Sequence, residues 1–430
     1  MDGCKKTKKR GWLTALKIVG LIFLILVLAV ATRLFIAAPE VEVHDEDLLY
    51  YPEPVPDEQN AFFHVNSLLQ GLESNNISLN SFSWCDGEPS EEGMVIIAEL
   101  AEENPKLLES FSTLAQYDHY QIPFDEEAPL YSQDIFSSWP ISPLISLSGY
   151  SLHYIEFLMR AGRLDEATSC LQAHAYFGHM IQKDSYALVS GMIGAAVRGR
   201  AVSALQQNLL QGRFEFKQCQ VIQDVIDMCL DDDVWAHMFQ AEYMFSKEII
   251  EDLDTGAIYN DDSPVEKLPL MLDKLPGLYS KPRTLQRFGS FYNGMVSACY
   301  DPNAEVPEVA VFQGFRMVRA FFSGNCVGEL LFQIGTPSVA SVVKKKWEQD
   351  AQAELIKLYV AVWEYYDDNG MLPGDLTQLV PAYISELPRD PFGTGGSFLY
   401  EPESKEIYSA GIDQSEKKLK GLTMSLGFVD

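Results

Sequence analysis

A run of apolar residues near the front of the chain, Trp12 to Ala38 (WLTALKIVGLIFLILVLAVATRLFIAA), constrains everything that follows. Inside it, Ile18 to Thr32 is uncharged, almost all Leu, Ile, Val, Phe or Ala, and is bracketed by Lys17 and Arg33. A helix rises about 1.5 Å per residue, so this core alone is slightly short for a hydrocarbon slab of about 30 Å, whereas Leu13 to Ala38 is ample. Lys17 and Arg33 have stems long enough to lie along lipid while their charges reach the headgroups. The basic block Lys5, Lys6, Lys8, Lys9 and Arg10 precedes the run and by the positive-inside rule stays in the cytoplasm. The expected topology is a single-pass anchor in a bacterial inner membrane, with residues 1–38 as basic tail and transmembrane helix and the bulk extracytoplasmic. A cleaved signal peptide is the competing reading, with Ala29-Val30-Ala31 as an A-x-A site. The apolar stretch resumes after Arg33 and exceeds a usual h-region, which favours a retained anchor. Both readings export the body.

The body is acidic. The formal charge is −29, and the N-terminal 33 residues are net basic, so the remainder is more negative still. Such a body repels phosphate backbones, which argues against nucleic-acid binding. The acids fall in short runs, Asp45–Asp47, Glu91–Glu92, Asp125–Glu127 and Asp231–Asp233, as expected of a solvated surface. An apolar fraction of 47% and an aromatic fraction of 12% are those of a globular chain with a real core. The cysteines are dispersed without C-x-x-C or zinc-like spacing and imply no disulfide pairing.

Residues 39–59 carry Pro39, Pro52, Pro54 and Pro56 among acids, which predicts an extended, stiff linker. Residues 60–343 read as an α-helical body. Asn60 opens a helix with Phe62, Phe63, Leu68, Leu69 and Leu72 on one face, and a second from Met94 to Tyr117 is broken at Asn104-Pro105. The clearest pattern is helix, Gly turn, helix at Ala161-Gly162-Arg163, repeated at Gln211-Gly212-Arg213. Gly at these joints suits a left-handed residue closing a helix, and Asp165 and Glu166 suit the positive start of the next. The predicted class is therefore mainly α: αα-hairpins stacked in a solenoid-like body, then a small α+β C-terminal module. The segment LMRAGRLDEATSCL resembles the turn of a tetratricopeptide repeat, without that family's full signature. Leu330 to Val343 is uncharged but too short to span a bilayer, and a buried core or interfacial segment is expected.

Residues 344–430 form the predicted C-terminal module. Lys344 to Asp368 is periodic, with Trp347, Ala351, Leu355, Leu358, Tyr359, Val362, Trp363 and Tyr366 on one face. A short helix at Asp375–Val380, a Pro-bounded loop and an antiparallel ribbon from Ser397–Tyr400 and Ile407–Ser409 follow. The order of long helix, Leu372-Pro373 after Asn369-Gly370, Leu387-Pro388-Arg389-Asp390-Pro391-Phe392-Gly393 and Tyr408-Ser409-Ala410-Gly411-Ile412-Asp413 resembles the soluble head of the type II secretion major pseudopilin. In that family the loop after the last strand binds calcium, which implies Asp413 as a candidate metal ligand, with Ser415 and Glu416 as nearby oxygen donors. The acidic pair usual there is absent, and so is the prepilin Glu, since Leu16 stands at the corresponding place. The whole chain resembles large single-pass bacterial membrane proteins with a helical middle and such a tail, which implies a location and no activity.

Catalytic signatures are sparse. Cys170 and His174 stand four apart and share a helix face, but two ligands define no metal site. Ser341-Val342-Val343-Lys344 fits S-x-x-K without its required partners, and Gly393, Gly395 and Gly396 do not lead from a strand into a helix. The expectation is a non-enzymatic scaffold or protein-interaction module of the cell envelope, bound to the bilayer by its first helix and to a protein partner by its body. The alternatives are an accessory of a type II secretion or pilus-like system, and an exported enzyme whose site is assembled from dispersed residues.

Overall fold

In the computed structural model the described residues are 21, 24, 27–34, 36, 39–51, 53–85, 88–125, 128, 141–255, 277–307, 314–336, 339–393, 396–409 and 423–427. They are mainly helical. In chain order the helices are α1 (Ala61–Ser74), α2 (Glu91–Glu103), α3 (Pro105–Glu109), α4 (Ile141–Arg160), α5 (Leu164–Lys183), α6 (Leu188–Leu210), α7 (Cys219–Cys229), α8 (Asp232–Thr255), α9 (Lys281–Tyr300), α10 (Gly314–Ser323), α11 (Cys326–Gly335) and α12 (Ala340–Asn369). A two-stranded pairing, β1 (Trp84–Cys85) with β2 (Glu88–Pro89), precedes α2. Late in the chain β3 (Leu399–Glu401), β4 (Glu406–Tyr408) and β5 (Thr423–Ser425) form an antiparallel sheet with β4 in the middle.

The chain divides into two compact units interleaved in sequence. The larger is Leu49–Phe245, Gly294–Val306 and Ser341–Asp430; the smaller is Met1–Leu48, Ser246–Asn293 and Pro307–Ala340. The division expected between residues 343 and 344 falls inside α12.

In the larger unit the local signals act as their chemistry predicts. The Asn60 side chain caps α1 by accepting the Phe62 N–H at 3.1 Å. Pro105 opens α3 just after α2 ends, where a missing N–H costs nothing. Gly162 has φ +71° and Gly212 has φ +64°, and after each the next N–H folds back onto the finished helix (Arg163 to the Leu158 carbonyl, 2.9 Å; Arg213 to Asn208, 3.0 Å). Helices α4, α5 and α6 bury Leu147, Ile155, Ala167, Leu171, Phe177, Ile181, Val197 and Val202 in one apolar core.

Helix α12 departs from its expected form. One apolar face was predicted from its periodicity, yet Ala353, Ile356, Val360 and Ala361 are buried as well as Leu355, Leu358, Tyr359 and Val362. It is an enclosed central helix over that stretch. The ribbon closes beside it through Phe398, Ile407 and Met424, all buried in the same core. Asp390 fixes the preceding loop: its carboxylate accepts the Ser409 hydroxyl (2.8 and 2.9 Å) and the Phe392 N–H (3.0 Å). The predicted short helix is a single 3-10 turn, Leu376–Leu379, capped by Asp375.

Part of the linker is tied down. Gln121, 5% exposed, donates to the Glu53 carbonyl and accepts the Val55 N–H, each at 2.8 Å. The backbone of Gln121 is in turn held by both ends of the Asn60 amide (2.6 and 2.9 Å). Residues 53–55 are thus a strap on the helical body.

In the smaller unit, Phe288 and Phe291 each meet Phe332 edge to face, with centroids 5.3 Å apart. Asn325 locks α9 to the α10–α11 turn by accepting the Ser280 N–H and the Thr284 hydroxyl, both at 3.0 Å. In the N-terminal apolar run Leu21, Leu24 and residues 27–34 are helical, and Leu21, Leu24, Val27 and Leu28 are 46–57% exposed. Among the described residues two stretches are long and apolar enough to cross a membrane, Leu188–Leu210 and Cys326–Asn369. The first is α6, two-thirds buried inside the protein (67%). The second joins α11 and α12 and includes the segment expected to be core or interfacial; Phe332, Val339, Val342 and Val343 are buried, while Ile334 is exposed.

Candidate functional site

A cleft of about 670 Å³ opens in the larger unit between the strap, the C-terminal end of α5 and the start of α8. It is lined by residues that stand far apart in sequence: Tyr50 and Tyr51 ahead of the strap and Glu53 within it, His119, then His179, Lys183 and Asp184, then Asp231, Asp233 and His237. Asp184, directly after α5, is the keystone. One of its oxygens lies 3.0 Å from His119 Nδ1, and the other accepts the Tyr120 N–H at 2.8 Å. The carbonyl of His119 accepts the Ala61 N–H at 2.8 Å, so the segment ahead of the strap's anchor is fixed to α1 as well.

The other two histidines are differently placed. His179 stacks on Tyr176, and its Nε2 lies 3.8 Å from Asp231. His237 stands perpendicular to the Tyr50 ring, centroids 3.9 Å apart. His179 Nδ1 and His237 Nε2 are buried with no hydrogen-bond partner among the described residues. Burial holds both imidazoles below the ordinary histidine range; Arg198 adds to this at His179, while Asp184 and Asp231 oppose it. Burial, helped by Asp184 and Glu53, pushes the Tyr50 phenol up to about 12. Both imidazoles are therefore neutral at pH 7, and the cleft's formal charges are Glu53, Asp184, Asp231 and Asp233 against Lys183. Among the described residues no group of three or more His, Cys, Asp or Glu has an arrangement fit to hold a metal ion. The cleft is an acidic, aromatic-rimmed recess suited to a cation.

The residues singled out from sequence lie elsewhere. Cys170 and His174 are fully buried on α5; the imidazole is hydrogen-bonded to Ser151 at 2.5 Å and to the Val197 carbonyl at 3.1 Å. Burial pushes His174 down to about 3, so it is a neutral core residue. Among the described residues Cys170, Cys219, Cys229, Cys299 and Cys326 are free thiols. Ser341 and Lys344 are exposed on the first turns of α12. Asp413, with Ser415 and Glu416, lies outside the described residues.

A second polar cluster, unread in the sequence, lines a recess of about 510 Å³ formed by α12, Leu230–Asp232, Cys299–Pro302 and the loop Ser385–Pro391. Lys346, with its side chain 3% exposed, sits 2.5 Å from both Asp232 and Asp350. Burial opposes the ammonium charge, but the two carboxylates outweigh it and hold Lys346 above its ordinary value. One turn on, Glu354 Oε2 has no partner among the described residues, and burial pushes this carboxyl up to about 7. The signal available was the i, i+4, i+8 spacing of Lys346, Asp350 and Glu354, which a sequence alone assigns to a solvated stripe.

Glu354 makes a pH prediction. Its folded-state pKa exceeds the unfolded value of about 4.5, so its contribution is fully present below pH 4.5 and is lost as the pH rises through 7. Glu354→Gln is expected to raise the melting midpoint at pH 8 by a few degrees, about 1–3 kcal/mol, with the gain vanishing near pH 4.5. Thermal melts across that range read it directly, and a gain equal at both ends contradicts the assignment.

Comparison of the chain with protein-family models, with curated proteins and with solved structures finds no match.

Proposed function

We propose that this chain is a membrane-tethered interaction module whose acidic cleft captures a positively charged segment of a partner protein. The observation that carries the reading is the composition of the cleft: four carboxylates against one lysine, beside two tyrosine rings, on a strongly acidic chain. Carboxylates in a partly closed recess attract a lysine or arginine side chain, and aromatic faces add a cation–π contribution of about 0.5–2 kcal/mol. The long-range negative field speeds encounter with a basic partner. The exposed apolar side chains Leu21, Leu24, Val27, Leu28 and Val30 on the N-terminal helix, preceded by a basic block, support the tether: a helix apolar all round is stable in lipid, not in water. In this reading the first helix spans the membrane once with its N-terminus inside, and the αα-hairpins stack on the outer side. The second reading, an accessory of a type II secretion-like machine, rests on the order of long helix and three-stranded ribbon in residues 340–425.

The cleft is tested with the full chain in an uncharged detergent, titrated with fluorescent peptides of equal length, one Lys/Arg-rich and one Asp/Glu-rich. Selective binding of the basic peptide is expected, weakening with salt, and Glu53→Gln with Asp231→Asn should lower affinity about five- to tenfold. Equal, salt-insensitive binding of both peptides would refute it. The tether is tested separately by alkaline extraction of membranes, in which the chain should stay with the lipid.

A further inference from the structure

We infer that the smaller unit carries a binding site for a phosphate-bearing group, built from Arg283, Arg287 and Arg319 and placed to hold the headgroup of an anionic lipid beside the anchor. These arginines line a recess of about 490 Å³ together with Ser290, Ser323 and Glu329. Arg283, Arg287 and Ser290 rise along one face of α9, and Arg319 and Ser323 stand four apart on α10. Three guanidinium groups against one carboxylate make this a basic recess in a chain of formal charge −29. A planar guanidinium presents paired N–H donors that match two oxygens of a phosphate, and the serine hydroxyls supply the shorter donors such a site uses.

The framework around it is rigid. Arg287 lies over the Phe332 ring at 4.1 Å with its Nε 3.7 Å from Glu329, so the guanidinium is stacked and half-neutralised but still faces the recess. A Cβ on Gly328 would stand 2.0 Å from the Thr284 hydroxyl and 2.4 Å from Asn325 Oδ1, so only glycine lets α11 approach α9 this closely. The position selects the source of the phosphate. Arg283 Nε donates to the Pro39 carbonyl at 3.3 Å, and Pro39 directly follows the apolar run. The recess thus sits where the chain leaves the bilayer, within reach of headgroups, where each basic side chain near an anionic surface contributes about 1 kcal/mol. This placement rests on the tether half of the proposed function; the phosphate chemistry does not.

The test uses the full chain in an uncharged, phosphate-free detergent, with lipid retention read by native mass spectrometry. Phosphatidylglycerol should be retained at least tenfold over a galactosyl diacylglycerol with the same acyl chains. Arg283→Gln with Arg319→Gln should abolish that preference while leaving capture of the basic peptide unchanged. Glu329→Gln removes the competing carboxylate and should strengthen phosphatidylglycerol retention about threefold, a gain that misfolding cannot imitate. Equal retention of the two lipids, or a preference that survives the double substitution, overturns the site. If millimolar inorganic phosphate displaces the lipid completely and binds as well without it, the lipid assignment falls. A chain that leaves the membrane on alkaline extraction yet still selects phosphatidylglycerol shows the tether reading failing and the phosphate-binding chemistry standing.

Discussion

Replacing Lys346 with methionine is expected to lower the melting midpoint of the chain by on the order of 10 °C at pH 7.5. The ammonium sits 2.5 Å from Asp232 and 2.5 Å from Asp350 and is almost wholly out of solvent. Removing one partner of a buried ion pair costs about 3–5 kcal/mol, because the remaining charge stays desolvated without compensation. The two carboxylates do not suffer equally. Asp232 is 40% exposed and can turn to water, whereas Asp350 is 15% exposed and cannot. The damage should therefore run through Asp350: Lys346→Met with Asp350→Leu is expected to recover most of the loss, and Lys346→Met with Asp232→Asn little of it. The deficit of the single variant should also shrink as the pH falls, since burial already pushes Asp350 up to about 6 and the lost ammonium raises it further, so a proton replaces the missing charge. Scanning fluorimetry at pH 5.5 and 7.5 separates these outcomes; a single variant within 2 °C of wild type at both values would mean that the cluster is not a buried pair at all.

Lys346 also shows where sequence reading stops. The helix that carries it was legible from its periodicity, the Gly162 and Gly212 joints from turn chemistry that acts within a few residues, and the late ribbon in outline. Lys344, Lys345 and Lys346 look alike in the chain, yet only Lys346 of the three is buried. What selects it is Asp232, brought from another helix by the fold. The all-round burial of Ile356, Val360 and Ala361 was hidden for a related reason: small and β-branched residues on the supposed outer face are as compatible with a covered face as with an open one. The cleft was out of reach because His119, His179 and His237 belong to separate segments with no local spacing to join them, and the strap over them depends on one glutamine amide. The arginine recess was hidden for another reason: a strongly negative net charge is an average, and it carries no information about where the few cations gather.

The second large effect is expected at Gly194 on α6. A Cβ there would stand 2.5 Å from the Gly178 carbonyl oxygen and 2.6 Å from the Gln182 nitrogen, both backbone atoms of α5. The reciprocal is also true, for a Cβ on Gly178 would meet the Gly194 carbonyl at 2.8 Å. Neither obstacle can rotate away, so Gly194→Val must part the two helices and open the layer formed by Ala175, Phe177, Ile181 and Val197, all buried. A loss of about 4 kcal/mol or more follows, a large share of the 5–15 kcal/mol typical of whole domains. The same helix supplies its own controls. At Gly191 a Cβ would meet the Met238 side chain at 1.9 Å, and a thioether can repack, so Gly191→Ala should be destabilising but folded. At Gly199 the nearest atom is a Gln349 side-chain oxygen at 3.6 Å, an ordinary contact. There Gly199→Ala removes backbone freedom from the unfolded chain and should stabilise by about 0.5–1 kcal/mol. The ranking, rather than any one value, carries the test: if the valine at 194 melts no lower than the alanine at 191, the α5–α6 crossing is looser than backbone contact, and the core described around it has a different geometry.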